Sequence, residues 1–111
     1  MNKEDVRKND WKILQSKIPQ WQEQYMAELL KSYISFLEND TLLPSYRFHE
    51  LEKRIKIDKH KVGVSVTLDK KEMEDIIAEL IMTAAIKKEE LKEFSDELQK
   101  EVEQIIRRRR S

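Results

Sequence analysis

Apolar residues return at steps of three and four along most of this chain, with charged residues between them, and that period predicts helices. Val6, Trp11, Leu14 and Ile18 make a first short stripe, which Asn9 or Asp10 would cap. Pro19 disfavours helical geometry at the residue before it, so a helix boundary is expected at Ile18. A second helix then opens on Pro19. It carries Trp21, Tyr25, Met26, Leu29, Leu30, Tyr33 and Leu37 and leaves at Asn39-Asp40.

After Leu42-Leu43-Pro44, Ser45 is the expected cap of a third helix, striped by Phe48, Leu51 and Ile55 and fading across residues 57–59. From Lys61 to Leu68 the pattern changes. Val62, Val64 and Val66 alternate, which fits a short extended or irregular connector over 62–68. Asp69-Lys70-Lys71-Glu72 matches a capping box. Met73, Ile76, Ile77, Leu80, Ile81, Ala84 and Ala85 follow as the most regular stripe, ending near residues 85–87. A fifth helix is expected from Lys88, with Leu91, Phe94, Leu98, Val102, Ile105 and Ile106 as a narrow seam. Its early glutamates and late arginines complement the helix dipole. The expected fold is all-α: one domain over residues 1–111, a compact bundle of four to five helices, with flexible ends at 1–9 and 107–111.

Composition narrows the chemistry. One glycine, Gly63, two prolines and no cysteine leave little material for phosphate-binding or catalytic loops. Without cysteine there is no disulfide, thiolate nucleophile or thiolate metal site. His49 and His60, eleven residues apart, fall short of a zinc site. The serines lack a glycine-flanked nucleophile elbow, and Gly63-Val64-Ser65 does not supply one. Carboxylate pairs such as Glu74-Asp75 and Glu89-Glu90 lie mostly off the apolar stripes, as on a solvated face. Neither an enzyme nor a bound cofactor or metal is expected. The longest apolar runs are far short of the ~20 residues that span a bilayer, and the charged start lacks a signal-peptide core, so no membrane association and a cytoplasmic location are expected.

Charge is balanced overall, with 22 basic and 22 acidic residues, but it is unevenly placed. Lys53, Arg54, Lys56, Lys59 and Lys61 cluster around one acid, Asp58, and the chain finishes Arg107-Arg108-Arg109-Arg110-Ser111. Either group could meet phosphates, although no aromatic side chain interleaves with the arginines to stack bases. Between Glu72 and Glu103 the balance reverses, eleven acids facing four lysines. Such an exterior can dock on a basic groove of another protein. Glu89, Glu90, Glu93, Asp96 and Glu97 are its candidate contacts, joined by Trp11, whose short helix would leave the indole free for a partner.

The phrases Trp21-Gln22-Glu23-Gln24-Tyr25-Met26, Glu50-Leu51-Glu52-Lys53-Arg54-Ile55-Lys56 and Glu93-Phe94-Ser95-Asp96-Glu97-Leu98 resemble those of small uncharacterised helical proteins of Gram-positive bacteria and their phages or mobile elements. The resemblance covers about Trp11 to Leu98 and carries no assigned activity. It implies a phage or mobile-element setting, in which small proteins often bind and modulate a larger host or rival enzyme. The sequence therefore leads to a non-catalytic protein–protein interaction or regulatory module, such as an inhibitor of a nucleic-acid-handling host enzyme. It would meet another protein through the fifth-helix seam or the acidic Glu72–Glu103 exterior, or a second copy of the chain through the seam. The alternative is a small nucleic-acid binder using the basic 53–61 segment and the C-terminal arginines.

Overall fold

The computed structural model describes residues 2–111, and Met1, within the expected flexible 1–9 end, lies outside the described residues. Four α-helices occur among them: α1 (Lys3–Leu37), α2 (Pro44–Asp58), α3 (Met73–Met82) and α4 (Asp96–Arg110). Short 3-10 turns at Lys70–Glu72 and Lys88–Leu91 precede α3 and α4. There is no strand among the described residues. Residues 62–64 form a turn and 65–69 have no regular structure. No helix is long and apolar enough to cross a membrane.

Helix α1 corrects the expected break. It runs 35 residues straight through Pro19, about 52 Å at the usual rise. Proline costs a helix one backbone hydrogen bond and crowds the preceding turn, yet Leu14, Ile18 and Trp21 on either side are all buried. Burying a large apolar side chain stabilises by ~1.5–3 kcal/mol, so three of them on one face outweigh the local penalty at Pro19. Asn2, rather than Asn9 or Asp10, caps this helix, accepting from the Asp5 amide at 2.9 Å.

The core lies where the first half of α1 meets α3 and α4. Leu14, Ile18 and Trp21 pack with Met73, Ile76, Ile77 and Leu80 of α3 and Leu98, Val102 and Ile105 of α4. Trp21 and Phe94 stack obliquely, ring centres 6.4 Å apart. Helix α3 ends earlier than the stripe suggested, because Ala84 takes a left-handed φ of 63°. The Ala85 amide donates to the Leu80 carbonyl at 2.8 Å and the Ala84 amide to Ile81 at 3.0 Å, a Schellman ending with alanine where glycine is usual.

The expected fifth helix starts at Asp96, eight residues later than its apolar spacing implied. Ser95 adopts extended backbone and its hydroxyl accepts from the Leu98 amide. Leu91 and Phe94 are buried as expected, but ahead of the helix. Asp10, read as a possible cap, instead sits inside α1 on the same face as Leu14 and Ile18, 3 % exposed. Its carboxylate accepts from the Ser95 amide at 2.8 Å and the Ser95 hydroxyl at 2.6 Å. Both oxygens of this buried side chain thereby find donors, and the start of α4 is pinned to α1.

The other two expected caps also differ. Leu43 is the N-cap of α2, with Pro44 at the first helical position and Ser45 already inside. Asp69 accepts from the Lys71 amide rather than closing a box with Glu72.

The second half of α1 and all of α2 extend beyond this core as an antiparallel arm, and no residue of α2 is buried. The molecule measures 60 × 31 × 22 Å with a radius of gyration of 17.1 Å. A compact domain of this length has about 13 Å. The expected compactness is not seen, and the projecting arm is the reason.

Candidate protein interface

The arm is built from polar contacts on its inside. Arg47 of α2 donates to the Leu37 carbonyl, left over at the end of α1, at 2.6 Å and to the Leu42 carbonyl of the connecting turn at 3.1 Å. Arg54 lies over the Phe36 ring, 3.9 Å from its centre, and also meets Glu50. Tyr33 donates its phenol hydrogen to Asp58, which Lys61 approaches at 3.0 Å. Phe36 and Tyr46 meet edge to face near the tip.

These groups tune one another. Burial, then the hydrogen bond to Asp58 and its negative charge, push the Tyr33 phenol up to about 12. Burial would raise the Asp58 carboxyl, but hydrogen bonds from Tyr33 and Lys61 and the charges of Lys61 and Arg54 outweigh it and hold the group below the ordinary value. The hydrogen bond to Asp58 raises Lys61, against the pull of burial. The base of the arm is closed by Gly63. Gln22 donates to the Val62 carbonyl at 3.2 Å, and a Cβ at Gly63 would fall 2.5 Å from the Tyr25 ring.

Arginines, an aspartate and a tyrosine join the two helices, and seven large apolar residues of the arm are left outside. Leu30, Ile34, Leu43, Tyr46, Phe48, Ile55 and Ile57 are all exposed, Phe48 at 70 %. A shallow depression of about 270 Å³ on α2 is lined by Phe48, Leu51, Glu52, Ile55, Lys56 and Lys59. The spacing of Phe48, Leu51 and Ile55 was legible as a helical stripe. That it faces water was not, since periodicity reports a face and not what covers it.

The residues singled out from sequence are dispersed. Trp11 is half-buried and packed against the core. Glu89, Glu90, Glu93, Asp96 and Glu97 are exposed around the start of α4, and Glu93 meets Lys17 at 2.9 Å. Six of the nine basic candidates have acidic neighbours: Arg54 with Glu50, Lys56 with Glu52, Lys61 with Asp58, Arg107 with Glu103, Arg108 with Glu101 and Arg109 with Asp75. Lys53, Lys59 and Arg110 are exposed. The four arginines belong to the last turn of α4. Lys88 first, with Arg107, draws the Glu103 carboxyl below its ordinary value.

No group of three or more His, Asp or Glu side chains stands ready to hold a metal ion among the described residues. Comparison with family models, with curated proteins and with solved structures gave no match in any of the three.

Proposed function

We propose that this chain is a non-catalytic protein–protein interaction module whose working surface is the projecting α1–α2 arm. One observation carries the reading: the exposed large hydrophobics gather between Leu30 and Ile57, on an arm whose second helix buries nothing. Exposed apolar patches of this kind mark interaction sites in folded proteins. The contact surface thus moves to the arm from Trp11 and from the seam of Leu91, Phe94, Leu98, Val102 and Ile105, which the core already engages. Inhibition of a nucleic-acid-handling enzyme, the expectation drawn from sequence, belongs to the same class, because such a module acts by covering another protein's surface.

The test compares three baits, the wild-type chain, Phe48→Glu, and the paired change Glu89→Lys with Glu90→Lys. Each is immobilised, and its bound protein, whether a second copy or another chain, is quantified. Helicity by circular dichroism should be the same in all three, since none of these side chains is buried. Binding is expected to survive on the acidic-face variant and vanish on Phe48→Glu. Retention on Phe48→Glu would move the function off the arm. Oligonucleotide binding that weakens steeply with salt and disappears on changing Arg107–Arg110 to alanine would replace this reading with the nucleic-acid one.

A further inference from the structure

We infer that the arm's apolar face is covered by a second copy of this chain, two hairpins closing face to face into a four-helix arrangement. The inference rests on the proposed role of the arm and names its occupant. Tyr33 and Phe36 of α1 and Arg47, Arg54 and Asp58 of α2 fix which sides of the two helices meet, Arg47 reaching the backbone carbonyl of Leu37 and not its side chain. At about 100° per residue, Leu30, Ile34 and Leu37 stand roughly a quarter-turn round α1 from that contact. Phe48, Leu51 and Ile55 stand roughly a quarter-turn round α2 in the same rotational sense. The helices run antiparallel, so equal rotations bring both stripes out on one side of the hairpin. Burial agrees with this placement. Leu37 and Leu51, nearest the seam, are half-buried, whereas Leu30, Ile34, Phe48 and Ile55 are 59, 55, 70 and 44 % exposed.

Two features select a copy of the chain as occupant. The first is area. The six side chains leave on the order of 500 Å² of apolar surface in water, near the upper end for a single patch on a lone chain. With the flanking Ala27, Lys31, Glu52, Lys56 and Lys59 the face approaches the ~800 Å² that each partner of a stable complex buries. The stripe lies on one face of this two-helix layer, and a second such layer is the smallest addition that covers that face with helix-on-helix packing. The second is charge. The rim carries both signs, with Lys31 and Glu38 along α1 and Glu52, Lys56 and Lys59 along α2. A mixed rim can meet itself with opposite charges opposed, while a partner of one strong sign would meet repulsion somewhere along it.

Sedimentation equilibrium on the intact chain, from about 1 to 200 µM, tests this against standard interfaces in that affinity range. The wild type is expected to reach twice the chain mass, and Phe48→Glu and Ile34→Lys to raise the dissociation constant at least 100-fold with helicity and melting of the core unchanged. Since the chain has no cysteine, Leu51→Cys supplies an independent reading, and a label there should report a second label within a few nanometres in the wild-type background but not with Phe48→Glu. A wild type that stays monomeric through the range overturns the inference. If its bait nevertheless retains a different protein that Phe48→Glu loses, the arm remains the docking surface and only the occupant was wrong. Monomer with no retained protein removes both. A dimer untouched by either substitution places self-association elsewhere and overturns the inference alone.

Discussion

Glycine suits both position 84, for its backbone, and position 63, for its missing Cβ, and the chain carries it only at 63. Ala84 closes α3 in the left-handed region at φ 63°, where a Cβ costs roughly 1 kcal/mol and glycine costs nothing. Gly63 has ordinary φ, yet its missing Cβ leaves the space that the Tyr25 ring fills, 2.5 Å from where that carbon would be. Ala84→Gly should therefore raise stability by about 0.5–1 kcal/mol, because the side chain is exposed and loses no packing. Gly63→Ala should lower it by about 1–3 kcal/mol, the usual cost of overpacking a close contact. Urea midpoints at constant slope measure both, and equal signs for the two changes would refute the pairing. Neither role was readable from sequence. A lone glycine in a valine-rich stretch signals a constraint without saying whether backbone or neighbour imposes it, and an alanine within an apolar run looks like more helix. Asp10 was hidden for the same kind of reason: its partner Ser95 lies 85 residues away, beyond the reach of any local cap pattern.

At the scale of elements, apolar periodicity located every helix but misplaced ends wherever a side chain from another element intervened. Pro19 reads as a boundary because its penalty is local, while the burial of Leu14, Ile18 and Trp21 that overrides it is tertiary. The α4 start reads as too early because Leu91 and Phe94 keep helical spacing through a 3-10 turn and a break. The α1–α2 pairing has its own signature, since polar groups rather than a greasy seam hold it. Tyr33 is raised from its ordinary 10.0 to about 12, so its contribution is complete below pH 10 and is lost as pH climbs from there through 12. Asp58 is lowered, so its contribution is present above the ordinary carboxylate value and is lost as pH falls through the folded one. Tyr33→Phe should accordingly be less stable than wild type at pH 8, with the gap closing between pH 10 and 12. Thermal melts of both proteins at stepped pH check this. A gap that stays constant across that window would mean the phenol–carboxylate bond does not hold the arm.

For the molecule as a whole, composition and period made the all-helical class legible, whereas the shape was not. Enough apolar residues for one core does not say that a third of the chain declines to join it. That division sets unequal stabilities. Five residues of α3 are buried, and burying each large one contributes on the order of 1.5–3 kcal/mol, so its amides should open only with global unfolding. Helix α2 buries none and is held by the Tyr33–Asp58 bond, the Arg54–Phe36 contact and the Arg47 clasp on the end of α1. Interactions of these kinds contribute about 1 kcal/mol each, which leaves α2 free to open at a cost of only a few kcal/mol. Hydrogen exchange followed peptide by peptide should thus show α2 amides exchanging at least ~100-fold faster than those of α3 in dilute solution, since each 1.4 kcal/mol is a factor of ten. If two arms close on each other, α2 alone should slow as concentration rises, because association stabilises the bound form by mass action. The α3 rates belong to a core that is already dry and should hold steady until whole-chain unfolding itself becomes coupled to dissociation. Uniform protection across α2 and α3 at low concentration would mean that the arm is sustained by something other than its own few contacts, and the division of the fold into core and projecting surface would have to be abandoned.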